Sequence, residues 1–82
     1  MAKKHKFSYA ICNQFAPDIF KKQCVAIEKN IPDLEKDELL KDVDGSTYQR
    51  YIHKKGEIIV DNNYYMNELN VESDFDLTPY FT

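Results

Sequence analysis

At Gly45 the spacing of apolar residues along this chain changes from three and four to two. Upstream, Ile19, Phe20, Gln23, Cys24, Ile27 and Ile31 recur at the spacing that gathers side chains on one face of a helix. Downstream, Thr47–His53 and the compact run Ile58-Ile59-Val60 are rich in β-branched and aromatic residues, and residues 68–77 alternate polar with apolar. A chain that holds both periods in separate stretches must pack a helical layer against a sheet, which is the α+β class.

The boundaries follow from turn chemistry. Phe7–Cys12 alternates as a strand, with a helix over residues 7–15 as its rival, since 7, 11 and 15 are also helically spaced. Pro17 and Asp18 open the first helix: proline at the first helical position loses no hydrogen bond, and an acid there suits the positive end of the dipole. That helix should end near Asn30, before Pro32. A second helix is expected over Asp33–Val43, capped by Asn30 and stopped by Gly45, with Leu34, Leu39, Leu40 and Val43 as its apolar face. Lys54-Lys55-Gly56 then reads as a hairpin connection and Asp61-Asn62-Asn63 as a second turn. Tyr64–Leu77 reads as a third strand. The expected order is β-α-α-β-β-β, with a three-stranded antiparallel meander packed against two helices. At 82 residues this is one domain, residues 1–82, preceded within it by a mobile basic tail over residues 1–6.

Composition narrows the classes of function. A net charge of −3 argues against a dedicated nucleic-acid binder, and 43% hydrophobic residues argue against disorder. No apolar run exceeds four residues, far short of the roughly 20 that span a bilayer. With no export signal, Cys12 and Cys24 read as reduced thiols and the chain as cytoplasmic. Ten lysines against one arginine, with abundant Asn, Ile and Tyr, match the bias of an AT-rich bacterial or phage coding sequence.

Charge is unevenly spread. Residues 1–41 carry eight Lys and six Asp/Glu, whereas residues 42–82 carry three Lys/Arg and eight Asp/Glu. The excess peaks where Glu68, Asn70, Glu72, Asp74 and Asp76 alternate with Leu69, Val71, Ser73, Phe75 and Leu77. On a strand these form an acidic ridge backed by an apolar face. The plain reading is a solvated face that keeps a sheet from pairing with its neighbours. Carboxylates two residues apart lie about 6.8 Å from one another, too far to share one hard cation. They suit the lysines and arginines of a partner protein, with Tyr64, Tyr65 and Tyr80 as aromatic anchors. The functional expectation is therefore a small protein-binding module of the inhibitor, immunity-factor or phage-modulator kind. A homodimer is a further option for a core of this size.

The rival expectation is a weak nucleic-acid site around the first hairpin, where Arg50, His53, Lys54 and Lys55 are interleaved with Tyr48 and Tyr51. For metals, Cys12, Cys24, His5 and His53 show no ligand spacing. Asp42-Val43-Asp44-Gly45 fails as a calcium loop, because the twelfth position would be Tyr51. Cys24 on the apolar face of the first helix reads as an inert thiol, and His53 has no evident orienting partner. Neither a cofactor nor an enzymatic activity is expected.

Overall fold

The computed structural model describes residues 6–81. The basic tail expected at residues 1–6 therefore lies, apart from Lys6, outside the described residues. Five strands, β1 (Phe7–Cys12), β2 (Glu35–Lys41), β3 (Thr47–His53), β4 (Gly56–Asn63) and β5 (Glu68–Ser73), form one antiparallel sheet in the order β1-β5-β4-β3-β2. One helix, α1 (Pro17–Asn30), joins the two edge strands across one face, and a 3₁₀ turn, Thr78–Tyr80, closes the chain.

Alternation decides which side chains meet the helix. Gln49, Tyr51 and His53 of β3, Ile58, Val60 and Asn62 of β4, and Leu69, Val71 and Ser73 of β5 are buried beneath it. Phe20, Ile27 and Ile31 come down from the helical side, and Leu77 closes the core from the C-terminal segment. Each buried aliphatic side chain contributes about 1.5–3 kcal/mol. Tyr51 is the largest side chain fully enclosed; its hydroxyl donates to Glu28 at 2.6 Å, so the ring fills the core while the polar tip is satisfied.

The α+β class and the strand–helix opening hold, but the second helix does not form. Residues 35–41 are an edge strand in which every residue is exposed. Asn30, expected to cap that helix, is instead the last residue of α1, its Nδ2 donating to the Ala26 carbonyl. Asp33, at φ +60°, turns the chain back, and the segment runs along β3, where its backbone groups find partners. Leu39 and Leu40 lie opposite Gln49 and Tyr48, so they point to opposite faces rather than sharing one. Good helix formers such as Glu, Lys and Leu yield here to the demand of an open sheet edge, and their charges protect that edge from further pairing.

The three-stranded meander becomes the core of the larger sheet, because β1 adds to β5 and β2 to β3. The Asp61-Asn62-Asn63 turn is also displaced. β4 runs on through Asn63, and the reversal falls at residues 64–67, with Asn67 taking the left-handed conformation at φ +53°. Asn62 is drawn into the core because its Oδ1 accepts the backbone N–H of Ala16 where the chain enters the helix. Asn67 accepts from Phe15 in the same way.

Candidate functional site

The sheet face away from α1 bears no helix, and its composition follows from the register. Glu68, Asn70 and Glu72 of β5 lie beside Asn63, Asp61 and Ile59 of β4. Next come Tyr48, Arg50 and Ile52 of β3, then Glu35 at the start of β2, while Ser8 and Ala10 complete the opposite edge. Asp37 joins this face through Arg50, whose guanidinium lies 3.3 Å from it and 2.8 Å from Glu57. Among the described residues the face thus carries the carboxylates Glu35, Asp37, Glu57, Asp61, Glu68 and Glu72, with Arg50 set between two of them.

The field of these acids is felt most at Asp61. Burial, then the charges of Glu72 and Glu68, push its carboxyl up to about 6. One of its oxygens, Oδ1, is buried without a hydrogen-bond partner among the described residues. Tyr48, its cross-strand neighbour, has its phenol pushed up as well, first by burial and next by Asp61.

The acidic row expected over residues 68–77 is shorter than its sequence alternation. β5 ends at Ser73. Beyond it, Asp74 Oδ2 accepts the backbone N–H of Glu57 at 3.0 Å, and Asp76 Oδ1 accepts the hydroxyl of Tyr9 at 2.9 Å. The Thr78 backbone N–H, with help from the Thr78 and Tyr9 side chains, holds the Asp76 carboxyl below the usual range. Tyr9 in turn accepts the N–H of Leu77. These two acids fasten the C-terminal segment to the sheet, since a chain leaving its strand needs partners for the polar groups that the ladder no longer satisfies. Glu68 and Glu72 keep their places in the row and gain Asp61, whose proximity depends on strand register and has no signal in the sequence.

The three tyrosines are not brought together. Tyr64 and Tyr65 sit in the β4–β5 turn, 58% and 84% exposed, with Tyr64 edge-on to Phe15. Tyr80 lies at the other end of the sheet, packed edge-on against Phe75, with Lys55 Nζ donating to its hydroxyl at 3.3 Å. Alternation also divides the basic and aromatic set around the first hairpin. Tyr48 and Arg50 face the acidic side, whereas Tyr51 and His53 are buried beneath the helix and Lys54 and Lys55 form the turn. His53 stacks on Phe75 at 5.0 Å, and its Nδ1 accepts the N–H of Lys55.

Cys12 and Cys24 are free, half-buried thiols, and burial pushes Cys24 up. Among the described residues, no three His, Cys, Asp or Glu side chains converge to hold a metal ion, and no helix is long and apolar enough to cross a membrane. Compared with known proteins, the chain matches no family model, no curated protein and no solved structure.

Proposed function

We propose that this chain is a protein-binding module that docks its helix-free sheet face onto a basic surface of a partner protein. The observation that carries the reading is the composition of that face. Arg50 is occupied by Asp37 and Glu57, so the excess of negative charge among the described residues rests on Glu35, Asp61 and Glu68. The elevated proton affinity of Asp61, raised first by burial and then by Glu72 and Glu68, supports it, because an approaching cation offsets the part that comes from the like charges. Tyr65, on the turn beside Glu68, supplies an exposed aromatic at one rim of the face. Such a face speeds encounter with a basic partner and fixes orientation more than it adds affinity. The mechanism is occupation of the partner's surface, with no chemical step.

The test is capture of a basic partner from the cell that makes the chain, repeated with the double variant Glu35→Lys, Glu68→Lys. Both side chains lie at or near the surface of a sheet whose core is on the other face, so the melting temperature should stay unchanged while capture drops by about tenfold or more. Undiminished capture by the double variant would overturn the proposal.

A further inference from the structure

The helical side of the sheet holds a second feature, separate from the acidic face. One helix cannot cover five strands, and between α1 and strands β2 and β3 a groove of about 370 Å³ stays open. This lies at the lower end of the range for small-ligand sites, roughly 300–1,000 Å³. Its walls are apolar: Phe20 and Val25 from the helix and Leu39 from β2. Val25 and Leu39 are 62% and 52% exposed, so both lips present hydrocarbon to solvent.

Asn62, only 1% exposed, lines the same groove. Its Oδ1 is engaged by the Ala16 N–H at 3.1 Å, which fixes the orientation of the amide. Its Nδ2 is then a buried donor with no hydrogen-bond partner among the described residues. A buried donor left without an acceptor is costly, and native structures retain few of them. Pro17, the first residue of α1, lines the groove too, which places the positive end of the helix dipole close to that donor. Lys21 adds positive charge to the lining, while the charge of Lys36 is balanced by its pairing with Glu28. The acid that faces them, Glu28, is held by the Tyr51 hydroxyl and by Lys36 at 3.3 Å.

We propose that this groove binds a small monocarboxylic acid with an apolar tail. A carboxylate oxygen accepts the hydrogen bond that Asn62 Nδ2 has to give, and the tail lies along Phe20, Val25 and Leu39. The donor asks for an acceptor, Lys21 and the helix end favour a negative one, and the walls ask for hydrocarbon. Nothing in this proposal depends on the acidic face, which lies on the opposite side of the sheet.

Titration of the isotope-labelled chain with octanoate, followed by amide resonances, tests it. Saturable shifts are expected at the groove, the Asn62 side-chain amide among them, and octylammonium should bind at least about tenfold more weakly because it cannot accept a hydrogen bond. Asn62→Asp keeps the acceptor for Ala16 and removes the donor, and should weaken octanoate about tenfold or more. If that variant does not fold, Leu39→Glu at the exposed lip decides, with the same loss expected at unchanged melting temperature. Octanoate should also slow alkylation of Cys24, which lines the groove, relative to Cys12, which does not. Unsaturable shifts, equal binding of octylammonium, full binding by the deciding variant, or unprotected Cys24 would each overturn the proposal.

Discussion

Asp61 shows how a single position on a sheet can oppose the fold that places it. Its backbone belongs to the central strand β4, and its carboxyl is confined between Tyr48 on one side and Asn70 on the other, with Glu68 and Glu72 close by. In the folded chain the carboxyl holds its proton up to about 6, against an ordinary value of 3.8. The proton is therefore bound more tightly by the folded than by the unfolded chain. The stabilisation from this group is complete below about pH 4 and is lost as pH rises through about 6. Above that, the chain carries a half-buried charge that it would be better without. Asp61→Asn should consequently raise stability at about pH 7 by roughly 1 kcal/mol, after allowance for solvent screening, and have little effect at about pH 4. Thermal unfolding of both proteins at the two pH values measures this. A variant that is less stable at neutral pH would mean that Asp61 is held by partners rather than crowded by like charges.

At the scale of elements, the strands and helix differ in how openly the sequence announces them. Helix α1 is legible because Pro17 marks its start and Phe20, Ile27 and Ile31 each meet the core at helical spacing. Strand β5 is legible because Leu69 and Val71 alternate with polar residues over one buried face. Strand β2 is not, since it buries nothing and a strand exposed on both faces leaves no period to read. Its existence depends on β3 having an open edge, a fact about the sheet and not about residues 35–41. The candidate site divides in the same way: Glu68 and Glu72 follow from alternation within one strand, whereas Asp61, Glu35 and the buried amide of Asn62 follow from register between strands. This dependence gives β2 a measurable property. With a break in register between Lys36 and Leu39 and no buried side chain, it should open locally without unfolding the core. In native-state hydrogen exchange the β2 amides should be protected less than those of β4 and β5 by about a hundredfold or more. Protection equal to that of the central strands would show that β2 unfolds only with the whole domain.

Across the whole molecule, the sheet separates two kinds of surface. One face is covered by α1 and the C-terminal segment, with the groove beside β2 left open, while the other carries the carboxylates. Asp61 lies opposite Asn70, with Glu68 and Glu72 at the two diagonal positions, and its burial near these like charges is an arrangement the fold tolerates at some cost. A basic partner would remove that cost, and the proposed docking therefore has a proton signature. Cations seated on the face counter the charges of Glu72 and Glu68 and so lower the proton affinity of Asp61 below about 6. At about pH 6 a fraction of the free chains carry that proton and must release it on binding. Affinity should accordingly rise with pH, by up to about tenfold per unit between about pH 4.5 and 6, and level off above about pH 7. Calorimetry in two buffers of different ionisation heat should report the matching proton release, and Asp61→Asn should abolish both the release and the pH dependence. A partner that binds with no proton exchange at about pH 6 must be docking somewhere other than over Asp61, and the acidic face would then serve only to keep the sheet in water.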